Sequence, residues 1–330
     1  MEKEGQGKMD VKKQFEFLNS ELWTKTTQAD YIPLKKIKHL IKDFGYKRSD
    51  WEDDLGPKIR NLRMLNSFPF FLSSISRNFW FFQTDQINKR ISDIERKGEC
   101  LYREIKSHVT FKESFKTDAR EEEAIMSAIY EGANTTRNEA KKFIARKETP
   151  KTIAHWMVLN NYNANKWIND NKKLPLNSEM ILRIHEIVTR NTLDEENVPY
   201  CGKFRDDTVV VGRGIKNVHR GIDKEKIEDV LNEVISLVTK NDRYLHPLMK
   251  GILLHYFIAY IHPFFDGNGR TARTLFYFKC LKHDLDWVNF LSISASLKAP
   301  GQQYENSFEL VKENNWDLTY FIIYCLKSLK

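Results

Sequence analysis

Apolar residues recur at three- and four-residue spacing along most of this 330-residue chain. Ile87, Ile91 and Ile94, for example, would share one face of a helix. Only 14 glycines and 9 prolines are present, which disfavours a turn-rich β fold. We therefore predict a mainly α fold, with enough residues for one sizeable core and a smaller helical annex.

The same spacing predicts the separate helices, after a charged lead-in over residues 1–20. The aromatic run Asn78–Phe82 is expected to open a long helix that continues to Leu101, and Asn177 is a candidate N-cap. Thr208–Val211 is the one expected strand. Further helical stretches are expected at Ile32–Leu72 with a break at Pro69, Glu121–Tyr130, Met180–Ile187, Lys224–Val238, Leu248–Ile261, Arg270–Lys282 and Asp317–Leu329.

The net charge and the cysteine spacing indicate which partners and which compartment to expect. The formal net charge of +8 has no dense basic block, so we attribute it to lysines on helix faces and consider nucleic acid an improbable partner. The cysteines, at positions 100, 201, 280 and 325, lack zinc-type spacing, which indicates a reduced, cytoplasmic protein. The charged start shows no secretory signal, and no apolar stretch is long enough to span a membrane.

The backbone of one segment, residues 262–273, suits the binding of an anion. An apolar helix ends at Pro263, and Gly267, Asn268 and Gly269 then form a turn whose N–H groups can point inward. A new helix begins at about Arg270, so its N-terminus adds further donors. The segment reads His262-Pro263-Phe264-Phe265-Asp266-Gly267-Asn268-Gly269-Arg270-Thr271-Ala272-Arg273.

The side chains of this segment suit phosphate-ester transfer. Arg270 and Arg273 lie three residues apart on one helix face and can bind phosphate oxygens in fork geometry. Asp266 would be repelled by phosphate unless a cation such as Mg²⁺ lay between them. His262 titrates near neutrality and could accept a proton. Each of these residues alone is more often structural, and only their conjunction indicates a site.

The segment resembles the signature of the Fic family, His-Pro-Phe-x-(Asp/Glu)-Gly-Asn-Gly-Arg-x-x-Arg, and meets every specified position. It is unlike the Doc variant, which has Lys where Gly269 stands and phosphorylates its target. The flanks resemble the family at the helix leading into the motif, the flap and the closing helix, which are Leu254–Ile261, Gly202–Arg205 with Val209–Gly212, and Asp317–Ile322. The resemblance runs from about Phe79 to the C-terminus.

This resemblance implies a Fic-type helical core with a short β-hairpin flap. Residues 1–77 would be an N-terminal helical region of uncertain role, and residues 78–330 the Fic domain. The implied activity is protein adenylylation (AMPylation), which transfers AMP from ATP to a Ser, Thr or Tyr hydroxyl of a target protein. The flap Val209–Gly212 would pair with an extended target segment by strand addition. Self-modification and a homodimer are both left open.

The family also implies a role for each motif residue. His262 would deprotonate the hydroxyl, and Asp266 would hold Mg²⁺ on the phosphates of ATP. Arg273 would bind the γ-phosphate, and Phe264 would pack in the core and set the loop. The full implied nucleotide-binding set is Phe264, Gly267, Asn268, Gly269, Arg270, Arg273, Val209, Val210, Val211, Gly212, Tyr304 and Asn314, with Tyr304 and Asn314 at the adenine end.

A second stretch, Ser127-Ala128-Ile129-Tyr130-Glu131-Gly132, resembles the family's inhibitory pattern (Ser/Thr)-x-x-x-Glu-(Gly/Asn). It implies an inhibitory helix over about 118–132, in which Glu131 pairs with Arg273 and displaces the γ-phosphate. The alternative is a purely structural role, in which Ser127 and Glu131 form an exposed i, i+4 pair and Gly132 is an ordinary helix cap. The inhibitory interpretation is favoured because the 127–132 pattern lies upstream of a complete Fic motif.

Other functions fit the same motif. The scaffold could transfer UMP, phosphocholine or phosphate, or remove AMP, although Gly269 favours a nucleotide from ATP. A non-catalytic regulatory module is a further alternative. The intact His262, Asp266 and Arg273 argue against it, because such a variant usually loses one of them.

Overall fold

The computed structural model describes residues 11–107, 109–211, 219–240, 242–295 and 302–329, and helices dominate these ranges. The predicted mainly α fold is confirmed. The α-helices are α1 (Val11–Leu18), α2 (Glu21–Trp23), α3 (Leu34–Leu40), α4 (Arg48–Asp50), α5 (Gly56–Leu65), α6 (Asp85–Ser107), α7 (Val109–Tyr130), α8 (Arg137–Ala145), α9 (Ile153–Asp170), α10 (Ser178–Thr189), α11 (Ile227–Thr239), α12 (Pro247–Ile261), α13 (Asn268–Leu281), α14 (Gln302–Glu313) and α15 (Thr319–Ser328).

Two small two-stranded sheets and several short 3₁₀ and π-helical segments accompany these helices in the described ranges. One sheet pairs β1 with β2 and the other pairs β3 with β4. The strands are β1 (Phe68–Leu72), β2 (Arg77–Phe81), β3 (Val210–Val211) and β4 (His219–Arg220). Short 3₁₀ segments lie at Ile41–Phe44, Ser73–Ile75, Glu195–Tyr200, Lys224–Lys226 and Asp286–Phe290, and π-helical segments at Thr24–Ala29 and Trp51–Leu55.

The aromatic run at 78–82 is mostly strand, so the prediction that it opens a helix is wrong. It belongs to β2, and α6 begins only at Asp85. Phe81 stacks on Phe68 of β1, with ring centroids 5.1 Å apart. Consecutive aromatic residues suit a pleated strand, whose side chains alternate between two faces. The expectation of a single strand in the chain is corrected by the same observation.

Close contacts divide the chain into two compact units. The first unit takes the residues up to Phe70 together with 78–90 and 307–323, and the second takes 71–77, 91–306 and 324–330. These units interleave along the chain, and the predicted domain boundary after residue 77 stays a prediction.

The first unit is built around a buried polar cluster. The Arg63 guanidinium donates to the carbonyls of Thr26 at 2.7 Å and Ile32 at 3.1 Å, and lies 4.2 Å from the centre of the Tyr31 ring. The Tyr31 hydroxyl donates to Asp317 Oδ2 at 2.5 Å. Burial raises the pKa of Asp317 to about 6, against the lowering effect of its hydrogen bonds and of Arg63. The cluster therefore joins distant parts of the sequence inside this unit.

The second unit is built around α12 and α13. Helix α12 is apolar on every side and almost wholly buried, as expected of a central helix. Gly251 lets α13 approach closely, because a Cβ there would lie 2.9 Å from Cδ2 of Phe276. Helix α11 packs on α12, while α9 and α10 pack on α13. The loop between α12 and α13, residues 262–267, is thus held between buried helices.

Two local expectations of the second unit can be checked directly. Asn177 is the N-cap of α10, since its side chain accepts the Met180 N–H at 2.9 Å. The expected strand Thr208–Val211 is shorter in the structure, where only Val210 and Val211 form β3. None of the helices in the described ranges is long and apolar enough to cross a membrane.

Candidate active site

The loop 262–267 begins and ends at residues with left-handed backbone geometry. His262 caps α12 with φ 52° and ψ 60°, and its N–H donates to Ile258 O at 3.0 Å. Gly267 is the N-cap of α13 with φ 79°. A non-glycine residue is uncommon in this region and usually marks a local requirement. Here the geometry turns the chain sharply, so that His262 lies at the rim of the loop.

Asn268 and His185 hold the loop from inside. The Asn268 amide accepts the Phe264 N–H at 3.0 Å and donates to Phe264 O at 2.8 Å. The His185 ring stacks on Phe264 with centroids 3.6 Å apart, and its Nε2 lies 3.0 Å from Asp266 O. Because His185 Nδ1 accepts the Gly202 N–H at 3.1 Å, its proton must lie on Nε2. Burial lowers the pKa of His185 to about 4, which keeps the ring neutral.

The candidate base, His262, is also neutral at ordinary pH. Burial lowers its pKa to about 4, the Ala259 carbonyl raises it, His219 and Arg205 lower it further, and Glu131 raises it. His262 Nδ1 lies 3.3 Å from Ala259 O. A proton on Nδ1 would leave the Nε2 lone pair to accept another proton.

Asp266 and Arg270 form a pair at the start of α13. Arg270 Nη2 donates to Asp266 Oδ2 at 2.8 Å, and Nη1 donates to Val188 O at 2.9 Å and to Thr192 Oγ1 at 3.2 Å. Gly267 N–H donates to Asp266 Oδ1 at 2.6 Å. The Arg270 side chain is 1% exposed, whereas that of Asp266 is 52% exposed. Arg270 therefore braces the loop against α10, and Asp266 keeps access to solvent.

Arg273 is buried and held by the residues of the candidate inhibitory pattern. Its Nε donates to Ser127 Oγ at 2.9 Å, and its Nη2 donates to Glu131 Oε1 at 2.7 Å. Nη1 has no hydrogen-bond partner among the described residues. The pKa of Arg273 is raised, because Glu131 and other neighbours outweigh the lowering effect of burial. The exposed i, i+4 alternative for Ser127 and Glu131 does not describe this geometry.

The Glu131 carboxylate lies where an anion would bind at the N-terminus of α13. A Cβ built on Gly269 would overlap Glu131 Oε1 and lie 3.1 Å from Arg273 Nη1. Glu131 follows the last residue of α7, and Gly132 has φ 96°. Gly132 N–H donates to Ile129 O at 3.1 Å and Ala133 N–H to Ala128 O at 2.9 Å, the pattern of a Schellman C-cap.

The two residues predicted for the adenine end lie in different units. Tyr304, in the second unit, has its hydroxyl 2.9 Å from His255 Nε2 and packs edge-on against Tyr130 with centroids 5.8 Å apart. Tyr130 itself lies next to Glu131 in the chain and within 5.5 Å of the Arg273 guanidinium. Asn314 belongs to the first unit, where its side chain donates to Leu310 O at 2.8 Å.

The flap residues Val210 and Val211 form β3, which pairs with β4 next to the loop. The two strands together are the β-hairpin of the flap. Val210 pairs with Arg220 and Val211 with His219, while Gly221 N–H donates to Val209 O at 3.0 Å. The Val210 side chain is 58% exposed. Gly212 lies outside the described residues. Ile222 N–H donates to Ile261 O at 3.1 Å, which joins the base of the flap to the end of α12.

The described residues of the candidate site offer one solvent-accessible carboxylate, that of Asp266, and no preformed metal site. Among the described residues no group of three or more His, Cys, Asp or Glu side chains could hold a metal ion. Asp266 fits a different kind of site, because Mg²⁺ is commonly held by one or two carboxylates together with substrate phosphates.

Sequence reasoning did not identify His185 or Arg205 as site residues. Both contact the loop over long sequence separations: His185 through Asp266 O, and Arg205 through His262 O at 2.8 Å. No local pattern signals such contacts. The motif Gly202–Arg205 was noted in the sequence, but nothing in it indicates that the arginine turns inward.

Part of this chain is similar to known proteins. Residues 175–279 match the sequence model of the Fic/DOC family. Similar curated proteins include two named "Protein adenylyltransferase Fic". The one from Nematostella vectensis is 27% identical over 199 residues, or 58% of this chain and 44% of the relative. The one from Drosophila willistoni is 34% identical over 116 residues, or 34% of this chain and 21% of the relative. The chain thus spans less than half the length of these relatives.

Solved structures share the fold. A Fic family protein from Desulfovibrio desulfuricans G20 superposes with a TM-score of 0.61 at 19% identity, covering 75% of this chain and 73% of that one. Fic-1 from C. elegans gives a TM-score of 0.57 at 17% identity, covering 89% and 78%. At these identities the structural similarity indicates a common helical core with a β-hairpin, and the predicted fold type is confirmed.

Proposed function

We propose that this chain is a member of the Fic/DOC family and a protein adenylyltransferase; its residues 175–279 match the sequence model of that family. It would transfer AMP from ATP to a hydroxyl side chain of a target protein. The observation that supports the proposal most directly is geometric: the loop between His262 and Gly267 leads into α13, on which Arg273 binds the Glu131 carboxylate at 2.7 Å. The names of the curated relatives support the same activity.

His262 would act as the general base. Nε2 would accept the proton of the target hydroxyl as its oxygen bonds to the α-phosphorus of ATP. The bond from that phosphorus to the bridging oxygen would break, and pyrophosphate would leave. A general base of this kind contributes roughly 10²–10⁴-fold to the rate.

The loop and the start of α13 would hold the phosphates. Backbone N–H groups of Asn268 and Gly269 would offer donors at a helix N-terminus, and Arg273 a buried guanidinium for the γ-phosphate. The N–H of Gly267 would join them only after it leaves Asp266 Oδ1. Asp266 would hold Mg²⁺, which neutralises phosphate charge when bound. Phe264 and Arg270 would serve by fixing the loop, since both are buried within protein contacts.

The remaining assignments are also proposals. The flap Val209–Gly212 would receive an extended target segment by strand addition, and the exposed Val210 suits that role. Tyr304 and Asn314 are the residues that the family resemblance assigns to the adenine end. Residues 78–330 would make up the Fic domain, and a cytoplasmic setting suits four free cysteines.

Glu131 would hold the enzyme in an inhibited state, with Ser127 as a second anchor and Gly132 as the helix cap. The carboxylate takes the guanidinium that the γ-phosphate needs. At an effective dielectric constant of about 20, such a pair at about 4 Å contributes roughly 4 kcal/mol. A shift from 1:99 to 99:1 needs about 5.5 kcal/mol. The inhibition would therefore be strong but incomplete.

Labelling of a cell lysate with ATP radiolabelled at the α-phosphate tests this proposal. Glu131→Gly should label proteins, including itself, far more strongly than the wild type, and Glu131→Gly/His262→Ala should label almost nothing. Equal labelling by wild type and Glu131→Gly would refute the inhibitory role. A panel of ATP, UTP and CDP-choline, read by the mass of the adduct, would identify the donor; an adduct other than AMP would refute adenylylation.

A further inference from the structure

Arg205 is a buried arginine whose described side-chain hydrogen bonds all end on backbone carbonyls. It is 3% exposed. Its Nε donates to His262 O at 2.8 Å, Nη1 donates to Asp207 O at 2.5 Å, and Nη2 donates to Ile222 O. Its own backbone N–H donates to Pro263 O at 3.0 Å. One residue therefore satisfies carbonyls from three separate parts of the chain.

These three parts are the two ends of the flap and the candidate base. Asp207 precedes β3 and Ile222 follows β4, whereas His262 begins the loop. Gly221 makes the contact closer still, since a Cβ there would lie 2.7 Å from Arg205 Nη2 and 3.3 Å from His262 Cβ. No space for a methyl group remains between the base of the flap, the guanidinium and His262.

A purely structural arginine would also satisfy buried carbonyls, which are costly to leave without donors. The arrangement here is more specific. A displacement of Arg205 would disturb the flap and the His262 backbone together, because one rigid guanidinium donates to all three carbonyls. Displacement of a reacting group by about 1 Å can lower a rate by about 10²-fold.

We infer that Arg205 is a positioning residue that fixes the base of the flap to the backbone of His262. A target segment paired with the flap would then present its hydroxyl at a set distance from the imidazole. This inference rests on the proposed function for the roles of His262 and the flap, but the connection itself is a property of the fold and can be measured without activity.

The first test uses variants in the Glu131→Gly background. Arg205→Lys keeps the charge and loses the fork geometry, so self-labelling with saturating ATP should fall by about 10- to 100-fold. ATP affinity measured by calorimetry should stay within about twofold, because Arg205 makes no contact with the phosphate-binding residues among its described bonds. Arg183→Lys is the matched control: it alters an exposed arginine of α10 that pairs with Glu186 at 2.5 Å, and should change neither quantity.

The second test is a pH profile. The charged groups that face His262 are Arg205, His219 of β4 and Glu131 after α7. Arg205→Gln removes one positive charge and should move the acid limb of the labelling rate to higher pH. Arg205→Lys should lower the rate and leave that limb in place. A lower rate for Arg205→Lys without a shift of the limb would assign the loss to geometry and not to charge.

The third test is amide hydrogen exchange at Gly221 and Ile222, whose N–H groups bond within the base of the flap and to Ile261. Arg205→Lys should accelerate exchange at both, and amides of α9 should be unchanged. Unchanged exchange together with parental labelling would overturn the inference. If the Arg205 variants do not fold, Gly221→Ala replaces them and should give the same changes. If the Glu131→Gly parent transfers no AMP, the proposed function fails, and the exchange result still decides the connection.

Discussion

His262 combines two features that are rarely found in one residue. Its backbone is left-handed at φ 52°, and burial, the largest effect on its side chain, lowers the pKa to about 4. The first feature places it at the start of the loop, and the second keeps the imidazole neutral. Histidine with an ordinary pKa near 6.5 would be partly protonated at neutral pH, whereas the lowered pKa of His262 keeps its imidazole almost wholly neutral and makes it a weaker base.

These properties predict the pH dependence of transfer by Glu131→Gly. Because the folded-state pKa of His262 lies below its ordinary value, the basic form persists as the pH falls and is lost only near pH 4. The rate at saturating ATP should therefore be flat from about pH 5.5 to 8. Circular dichroism at each pH controls for unfolding. An acid limb centred near pH 6.5 in folded protein would contradict the assigned environment of His262.

The sequence alone indicated candidate site residues where the chemistry is local, and it could not indicate contacts between residues far apart in the chain. Spacing within 262–273 indicated the base, the carboxylate and the anion-binding turn. The partners of Arg270 could not be read from the sequence, because Val188 and Thr192 lie about eighty residues away. His185 and Arg205 were missed for the same reason.

At the scale of elements, the end of α7 determines where Glu131 points. The Schellman cap requires positive φ at Gly132, and alanine disfavours that geometry by about 1 kcal/mol or more. Gly132→Ala should thus loosen the last turn of α7 and raise basal AMP labelling several-fold above wild type, though less than Glu131→Gly does.

Thr136→Ala is the control for that prediction. Thr136 is the N-cap of α8, where it forms a capping box with Glu139, and its loss should cost a similar free energy of unfolding, about 1 kcal/mol. It makes no described contact with Glu131, so labelling should stay at the wild-type level. Equal labelling by both variants would mean that general destabilisation, and not the cap, releases the enzyme.

Helices α12 and α13 begin or end within two residues of the sequence-based expectation, because a strong apolar pattern and a turn motif define them. The aromatic run was assigned to the wrong element. Its strand depends on pairing with β1 and on a parallel bridge from Trp80 to Asp317, which local periodicity cannot reveal. Helix α8 was also missed, although the Thr136-x-x-Glu139 capping box signals its start.

For the whole molecule, the mainly α fold predicted from the sequence is confirmed, and the domain boundary after residue 77 stays a prediction. Composition and spacing indicated the mainly α fold. The two units draw on separated stretches, including residues 307–323 in the first unit, and no change in composition marks those boundaries. The whole candidate phosphate site, from Ser127 to Arg273, nonetheless lies within the second unit.

Under the proposed function, the Glu131 carboxylate and the triphosphate of ATP would occupy one anion site in turn. Calorimetric titration of ATP with Mg²⁺ into Glu131→Gly/His262→Ala tests it most directly, since this variant should bind without turnover. We predict binding at least as tight as to the wild type, and its marked weakening when Arg273→Ala is added. If the folded Glu131→Gly/His262→Ala protein did not bind ATP, the shared anion site would be contradicted.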